Sequence, residues 1–393
     1  MREPNPRSPP APSWKRRAFS IVLAVVAIGF VAWIVPIRDR CEDPLSPATT
    51  RVAVTRVRAN DTCVLHVRSG DVVISAGDCA ALRCEAGLAS TLSHARLGWV
   101  ASLLAAYVAA TLVWAMRWRL LLALGGIRGT VFDVWRVVTE AQAAGILLPG
   151  GVGGDALRIA SVVRWGAPTS IVVASVLLDR ALGLVTLAVV ALLAIVLGSG
   201  GGVGAADGAG SPMGHAHTAQ LTIGFLAAIP VGFVVVLAAL RTRRVASLAL
   251  VSRGRIGAAA KPVLEYLAHP EAAGAILRGA GVSMLSTASQ FLVLRGLVHA
   301  LGGAPVDERW IIVGIAMAMI VTAMPLLPGG WGTADATYVF FFGLAGLTPA
   351  VALGVCLLYR AFWYVLAAIG AGLQLVWGAR GGPSAPPARG DNR

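Results

Sequence analysis

Two stretches of the chain are near copies of each other, and each breaks a long apolar run with the residues Pro-Gly-Gly. They cover 147–156 and 326–336, and their aspartates, Asp155 and Asp335, lie 180 positions apart (335 − 155). In a chain that crosses a membrane, Gly/Pro-interrupted segments at corresponding places in two halves are the best sequence indication of a transport site.

The composition is that of a membrane protein. Apolar residues make up 57% of the chain and charged residues 13%, and the mean hydropathy is +0.76. A membrane-spanning helix needs about 20 mostly apolar residues. Runs that meet this requirement cover 18–37, 97–116, 168–197, 219–240, 275–298, 309–327 and 349–377. Two weaker apolar helices, at 132–148 and 336–347, are predicted beside the Gly-rich breaks.

Basic residues set the expected orientation. The formal net charge is +14, and the cations cluster at the ends of apolar runs, which is the positive-inside pattern rather than a nucleic-acid-binding surface. Residues 1–17 are expected in the cytoplasm, followed by a retained transmembrane anchor at 18–37. The basic tract 241–255 stays cytoplasmic if 132–148 re-enters the membrane, and would lie outside if 132–148 crossed. Re-entry is therefore favoured.

The same rule orients the second half. Residues 309–347 either cross twice or re-enter from the outside, and both options place a disordered tail, 378–393, in the cytoplasm. The runs 168–197 and 349–377 then have opposite directions, which is the arrangement of an inverted-topology repeat with its site at the midplane.

The predicted fold is therefore an all-α polytopic membrane protein with about seven or eight transmembrane helices. Re-entrant helices belong to an inverted repeat, with one repeat around 132–197 and the other around 309–377, inside a transmembrane domain at 97–377. A bacterial plasma (inner) membrane is the expected location, with both termini in the cytoplasm.

A small extracytoplasmic, β-rich insertion is predicted at 38–96. A hairpin is expected over 62–75, where two β-prone segments flank a Gly-containing turn. The insertion holds four of the five cysteines, Cys41, Cys63, Cys79 and Cys84. Disulfides are the favoured interpretation for so short a unit outside the cell. Free thiols are the alternative, while zinc is disfavoured because the paired CxxC motifs are absent. An external protein is a possible partner of this insertion.

The Gly-rich breaks leave backbone groups without helical partners, so they survive in a bilayer only where protein or a wet cavity receives them. The helix that restarts after Gly154 would carry Asp155 near its N-cap, and its free amides would suit a lipid phosphate. The alternative is a tight turn with no further role. The turn residues are Pro149, Gly150, Gly151, Gly153, Gly154, Pro328, Gly329, Gly330 and Gly332. Neither a Walker motif nor a Rossmann fingerprint is present, so no nucleotide, other cofactor or metal is expected.

Charges inside the apolar runs cost roughly 2.5–3.5 kcal/mol each. Asp179 and Arg180 lie in one such run, and Tyr359 and Arg360 occupy the same places 180 positions later. They either form structural ion pairs, for example between Asp335 and Arg360, or contact an anionic substrate, whose phosphate would suit arginine. Glu140, Gln142 and Gln290 are weaker candidates to line the same cavity.

Four further arginines are expected at the cytoplasmic boundary. They form either a collar that touches anionic headgroups or an entry path for a headgroup. They are Arg117, Arg119, Arg158 and Arg164.

Several motifs together resemble the transmembrane flippase-like region of the lysylphosphatidylglycerol synthase family. They are Arg117-Trp118-Arg119, the segment 148–158, Leu178-Asp179-Arg180 and Pro328-Gly329-Gly330-Trp331-Gly332. The resemblance covers about 97–377 and implies a stand-alone member, because only a short tail follows where full synthases add an aminoacyltransferase domain. Two features depart from the family pattern: Asp335 stands where a glutamate is usual, and the insertion at 38–96 is additional.

The sequence thus favours a protein that translocates, or helps to translocate, an anionic or modified phospholipid between leaflets, and enzymatic activity is not expected. A membrane transferase acting on a lipid-linked substrate and a non-catalytic membrane partner are the alternatives. The candidate substrate-binding residues are Arg180, Arg360, Asp155, Asp335, Asp179, Tyr359, Arg158 and Arg119. Their expected ligands are membrane lipids with anionic headgroups.

Overall fold

The computed structural model describes residues 35–37, 39–42, 51–57, 62–67, 70–74, 84–147, 152–198, 212–241, 266, 269–302, 306–323 and 330–378. Several predicted features lie outside these residues. They are both tails, the anchor except for its last residues, most of the basic tract 241–255, Cys79, Pro149, Gly150, Gly151, Pro328 and Gly329.

Within the described residues, ten α-helices form the body of the protein. They are α1 (Leu88–Ser93), α2 (Leu97–Leu124), α3 (Val131–Leu147), α4 (Val152–Val163), α5 (Thr169–Gly198), α6 (Pro212–Arg241), α7 (Ala272–Ala300), α8 (Glu308–Ala323), α9 (Thr333–Leu344) and α10 (Pro349–Gly378). Helices α2, α5, α6, α7 and α10 are long and apolar enough to cross a membrane. Large apolar side chains such as Leu197, Leu292 and Leu375 are exposed on them, as expected of surfaces that face lipid.

Two predicted boundaries are corrected. Helix α2 continues to Leu124 rather than ending near residue 116, and it buries Trp118 completely. Arginine is a good helix former, so the basic residues expected at the end of this span lie within it. Helix α8 covers most of the predicted span at 309–327, whose last four residues lie outside the described part of the chain. Helix α4 begins at Val152 instead of after Gly154.

The two halves repeat each other in the bounds of their helices. Helices α5 and α10 both have 30 residues, and each bound of α10 lies 180 positions after that of α5. Helices α4 and α9, which precede them, both have 12 residues. The matching lengths are those that a repeat over whole helices would produce.

Each short helix pair is a hairpin that starts and ends at the same end of the bundle. In the first hairpin, α3–α4, a Cβ placed on Gly129 before α3 would lie 3.4 Å from the Trp165 ring after α4. In the second hairpin, α8–α9, the Asp307 amide before α8 donates to the Ala345 carbonyl after α9 at 3.1 Å. The opposite ends of these helices, at the end of α3 and the start of α4 and at the end of α8 and the start of α9, therefore lie inside the bundle.

Helices α2 and α7 run antiparallel along their whole length. The Arg96 amide donates to the Ala300 carbonyl at 3.3 Å at one end. Further along, Arg117 donates to Ser283 at 2.9 Å. The start of α2 thus lies beside the end of α7.

Helices α5 and α10 run in opposite directions. Arg117 and Trp118 of α2 contact Asp179 and Ser175 of α5 respectively, so α5 is antiparallel to α2. The start of α10 lies beside the end of α7, as the start of α2 does, because a Cβ on Gly354 would be 3.0 Å from Leu301. Helix α10 is therefore parallel to α2.

Each hairpin packs against the long helix of the other half. Helix α3 packs against α10, and α8 packs against α5. At the first of these contacts, a Cβ on Gly370 would lie 2.2 Å from the Thr139 carbonyl oxygen, so glycine permits the close approach. The interior between the halves is consequently lined by both hairpin tips and by α2, α5, α7 and α10.

An antiparallel sheet lies at the end of the bundle where α10 begins. Its strands are β1 (Asp39–Glu42), β2 (Arg51–Val57), β3 (Thr62–Val67), β4 (Gly70–Ile74) and β5 (Cys84–Glu85), in the order β4-β3-β2-β1-β5. Strands β3 and β4 pair at the place of the expected hairpin. The β1–β5 register places Cys41 opposite Cys84. The Leu88 amide donates to the Pro36 carbonyl at 2.9 Å and α1 packs on α10, which fixes the sheet to the bundle.

Candidate functional site

An ion pair joins the tip of each hairpin to the long helix that follows it. Asp155 of α4 pairs with Arg180 of α5, and Asp335 of α9 pairs with Arg360 of α10 at 3.0 Å. Both arginines lie 11 residues after the first residue of their helices (180 − 169 and 360 − 349). At 1.5 Å per residue they are roughly 16 Å into the bundle.

The second pair is enclosed by protein. Arg360 donates to both carboxylate oxygens of Asp335 and to the Gly330 carbonyl, and its guanidinium lies 4.3 Å from the Trp331 ring centre. Asp335 also accepts from the Gly332 amide at 2.8 Å, which caps α9. Only 8% of the Arg360 side chain and 5% of the Asp335 side chain are exposed. For Asp335 and Arg360 the sequence left two alternatives, a structural ion pair or contact with an anionic substrate. This geometry is that of a structural ion pair.

Two glycines make this tip possible. Gly330 and Gly332 have φ values of 65° and 77°, a region that other residues rarely adopt. The turn brings the Gly332 amide onto Asp335 and aims the Gly330 carbonyl at Arg360. Gly330 and Gly332 therefore position the ion pair through their backbone groups.

The first pair is more open than the second. The side chain of Arg180 is 33% exposed and that of Asp155 is 20% exposed. Arg180 lines two adjoining cavities, of about 270 and 220 Å³, between the hairpins. This guanidinium is thus held at the hairpin tip and also accessible from the interior space.

Asp179 is the centre of a second ion cluster beside the first pair. It accepts from Arg117 at 2.7 Å, from Arg158 at 3.0 Å and from the Trp114 indole at 3.3 Å, and it is 1% exposed. Arg117 and Arg158, which the sequence placed at the cytoplasmic boundary, are both buried in this cluster. Because Asp179 pairs with both arginines, each of these buried charges has a partner of opposite charge. A buried charge without such a partner would be strongly destabilising.

The two clusters are continuous. Arg158 lies 3.7 Å from Asp155 and stacks 4.0 Å from the Trp118 ring centre. Among the described residues, the network joins three arginines, Arg117, Arg158 and Arg180, to two aspartates, Asp155 and Asp179. The Arg158 Nε has no hydrogen-bond partner among the described residues.

The two cavities together form one interior space at the interface of the halves. Their shared lining combines apolar, aromatic and polar groups with the exposed face of Arg180. The shared residues are Trp114, Arg117, Gln142, Gly145, Arg180, Gly183, Leu187, Met319 and Ala323. A space of this volume accommodates several water molecules, so it can receive a small polar group.

The equivalent space in the second half is nearly closed. A cavity of about 20 Å³ is lined by Ala334, Tyr338, Tyr359 and Arg360. These residues lie 180 positions after Gly154, Arg158, Asp179 and Arg180, which line the cavity of about 220 Å³. The two half-sites therefore differ in kind: tyrosines stand at the positions of Arg158 and Asp179.

Some of the remaining residues singled out in the sequence as possible site residues line the larger cavity, and others lie outside it. Tyr359, Gln142 and Gln290 line the larger cavity, as expected. Arg119 instead donates to the Gly129 carbonyl at 2.9 Å, outside the two cavities. Glu140 pairs with Arg136 at 3.4 Å and lines neither cavity, so that weaker expectation is wrong.

Several lining residues were missed by sequence reasoning. Tyr107, Trp114, Ser286 and Thr287 line the larger cavity. The spacing of Ser283, Ser286, Thr287 and Gln290 on α7 was a signal for a polar helix face, since positions three and four apart share one side. In the described part of the chain, no group of three His, Cys, Asp or Glu side chains is placed to hold a metal.

Most of the chain matches one known protein family. The family model described as the lysylphosphatidylglycerol synthase TM region matches residues 85–370. No curated protein matches the sequence. The matched part begins at β5 and includes both hairpins, both ion pairs and the cavity, while strands β1–β4 precede it. The chain is thus an integral membrane protein that belongs to the lysylphosphatidylglycerol synthase transmembrane-region family.

Proposed function

We propose that this protein translocates, or helps to translocate, an anionic or modified phospholipid between the leaflets of the membrane. The observation that carries the proposal is the position of Arg180, which is held by a hairpin tip inside the bundle yet one third exposed to the interior cavity. An arginine in that setting offers a planar pair of donors that suits a phosphate.

The architecture supports a path between two inverted halves. Corresponding helices run in opposite directions, and each hairpin begins and ends at one end of the bundle. We propose that the hairpins are re-entrant from opposite sides of the membrane, with their tips meeting near the midplane. Sites at such a midplane, formed by interrupted helices, are typical of inverted-repeat transporters.

Charge distribution supports the proposed orientation. The end where α2 and α4 finish and where α3 and α5 begin carries Arg119, Arg128, Arg136 and Arg164. At the other end, Arg295 and Arg309 are paired with Glu308 and Asp307. By the positive-inside rule, the first end is cytoplasmic and the sheet is extracytoplasmic. We accordingly place both termini in the cytoplasm of a bacterial cell, with the protein in the inner membrane.

Arg180 and Arg360, both candidates to bind substrate by sequence, differ in exposure and in their partners, and we assign them different roles. Arg360 is saturated by Asp335 and the Gly330 carbonyl, so it holds the second hairpin. Arg180 is paired with Asp155 but keeps a third of its side chain exposed along the cavity, where its guanidinium would suit an anionic headgroup.

Lipid translocation in liposomes tests the proposal. Purified protein is reconstituted with acyl-labelled fluorescent phosphatidylglycerol, and dithionite quenching reports lipid that has reached the outer leaflet. The wild type is expected to speed translocation, and Arg180→Ala is expected to abolish the gain. Arg295→Ala is the matched control, because Arg295 forms an exposed ion pair outside both cavities. A wild type that translocates no anionic or aminoacylated lipid would overturn the proposal.

A further inference from the structure

A buried carboxylate lies where the first hairpin meets the long helix of the other half. Glu140 is nine residues after the first residue of α3 (140 − 131), which places it roughly 14 Å from the end of the bundle that we assign to the cytoplasm. A Cβ on Gly370 of α10 would lie 2.7 Å from the Glu140 amide nitrogen, and the Glu140 side chain is 7% exposed. The carboxylate is therefore enclosed beside a close contact between the two halves.

The ion pair that this carboxylate forms is incomplete. The Arg136 Nε lies 3.4 Å from a carboxylate oxygen of Glu140, one helical turn away on α3. Yet Arg136 Nε is a buried atom that has no hydrogen-bond partner among the described residues, and buried polar atoms normally have one. In the second half, by contrast, Arg360 donates to both oxygens of Asp335. The pair of Arg136 and Glu140 thus lacks the hydrogen bonds of a structural lock.

Two cations act on the Glu140 carboxylate from the residues that the structure describes. Arg136 is one, and Arg164, which follows α4, is the other. Arg164 also donates to Ser161 at 3.0 Å. The remaining charged side chains of α3 and of the helices that pack against it, α2, α4 and α10, have other partners. They are Asp133, Arg117, Arg119, Asp155, Arg158 and Arg360. Protonation of Glu140 would therefore remove the carboxylate that attracts both Arg136 and Arg164.

The second hairpin packs without an equivalent pair. Ahead of the Pro-Gly-Gly breaks the halves are 179 positions apart, as their prolines show (328 − 149). Ile315 and Met319 accordingly occupy the places of Arg136 and Glu140, and both belong to an apolar cluster. Apolar residues can replace a buried ion pair without loss of stability, so the packing of a hairpin does not require these charges. Carboxylates retained inside membrane proteins commonly carry protons.

We propose that Glu140 is a proton-binding site through which the protein couples lipid movement to a proton gradient. The charged carboxylate attracts Arg136 and Arg164. When it takes a proton from water, this attraction is lost and the contact of the first hairpin with α10 loosens, and release of the proton restores it. The coupling rests on the proposed function, whereas proton binding at Glu140 can be measured without it.

Infrared difference spectroscopy measures the proton directly. The full-length protein in lipid nanodiscs is titrated with acid, and the carbonyl band of protonated carboxylic acids is followed. The wild type is expected to gain a component reversibly that Glu140→Gln lacks. Asp133→Asn is the matched control, because Asp133 lies on the same helix but bonds to Thr130 at its exposed start, and it should keep the component. A spectrum that Glu140→Gln leaves unchanged would overturn the site.

A double variant separates proton binding from folding. Arg136→Ile combined with Glu140→Met introduces the residues of the second hairpin. Its melting temperature in detergent is expected to equal or exceed that of the wild type, because the incomplete pair is exchanged for apolar packing. The Glu140 component of the infrared band should be absent. A large drop in melting temperature would show that the pair is needed for folding and would count against a proton-binding role.

Translocation under an imposed pH gradient tests the coupling. In the liposome assay described above, the wild-type rate is expected to change several-fold when the gradient is applied. Glu140→Gln and the double variant should translocate at one rate with or without the gradient. A wild-type rate that is insensitive to the gradient would refute the coupling.

The proton site and the proposed function fail in different ways. If the titration shows the Glu140 component but the liposomes show no translocation, the proton site stands and the translocation proposal is wrong. If lipid crosses at equal rates with and without the gradient and Glu140→Gln leaves the spectrum unchanged, translocation stands and the proton site is wrong.

Discussion

Arg180 and Asp155 connect α5 to the tip of the first hairpin while a third of the Arg180 side chain stays exposed to the interior cavity. The pair 180 positions later, Arg360 and Asp335, makes the same connection with less than a tenth of either side chain exposed. One repeated motif therefore serves two purposes. In the second half it locks a hairpin, and in the first half it also presents a guanidinium to the cavity.

The two arginines are predicted to differ in their effect on stability. Arg360→Ala leaves the buried Asp335 carboxylate without its partner, which typically costs about 3–5 kcal/mol. Arg180→Ala removes a partly exposed pair, worth about 1 kcal/mol or less. Thermal unfolding in detergent measures both. Similar losses of stability in the two variants would contradict the distinction between a locking pair and a cavity pair.

Asp179 is predicted to be the most sensitive acidic residue of the first half. Asp179→Asn removes the carboxylate that Arg117 contacts and leaves Arg158 with Asp155 alone, at 3.7 Å, whereas Asp155→Asn affects a pair that is partly exposed. Loss of one partner from a buried ion cluster costs about 3–5 kcal/mol. Denaturation profiles should place Asp179→Asn well below Asp155→Asn. If Asp155→Asn proves the more damaging, the assignment of the cluster as structural is wrong.

Gly370 is predicted to be irreplaceable at the contact between the two halves. A methyl group there would lie 2.2 Å from the Thr139 carbonyl oxygen of α3, so Gly370→Ala must push the first hairpin away from α10. Such overpacking costs about 1–3 kcal/mol. Gly372→Ala is the matched control, because no atom lies within 4 Å of its added methyl group. It should be neutral or slightly stabilising, and equal melting temperatures for the two variants would argue against the packing described.

The strand register predicts one disulfide in the sheet. Cys41 and Cys84 are directly opposite in the antiparallel β1–β5 pair, whereas Cys63 is opposite Ile74 and Arg56. Opposed residues in antiparallel strands lie about 4.5–5.5 Å apart, within the range of disulfides. Non-reducing peptide mapping of the protein, purified from membranes without reductant, should recover the 41–84 linkage. A 41–63 linkage, or free thiols at both positions, would refute the prediction.

Much of the fold could be predicted because it depends on long-range composition. Apolar length and the 180-residue offset indicated the positions of α5, α7 and α10, and the Pro-Gly-Gly breaks marked both hairpins. The end of α2 was mistaken because a buried arginine and a boundary arginine look alike in sequence. Arg117 becomes distinguishable only when Asp179 is seen beside it.

The site was less predictable because its character depends on small differences between the halves. The replacements of Asp179 by Tyr359 and of Arg158 by Tyr338 follow the same 180-residue offset in the sequence, but their consequence, a nearly closed cavity of about 20 Å³ in the second half, depends on how the helices pack. Ser286 and Thr287 gave little signal, since small hydroxyl residues are common in membrane helices. Their importance follows from their position along a cavity that two distant hairpins enclose.

Photo-crosslinking with a phosphatidylglycerol analogue that carries a diazirine in its headgroup tests the central claim most directly. The account predicts labelled peptides from α2, α5 and α7, at residues that line the cavity, such as Trp114 and Gln290. It also predicts that Arg180→Ala removes this labelling. Labelling confined to the exposed outer surfaces of the helices, around Leu197 and Leu375, would contradict passage of the headgroup between the two halves.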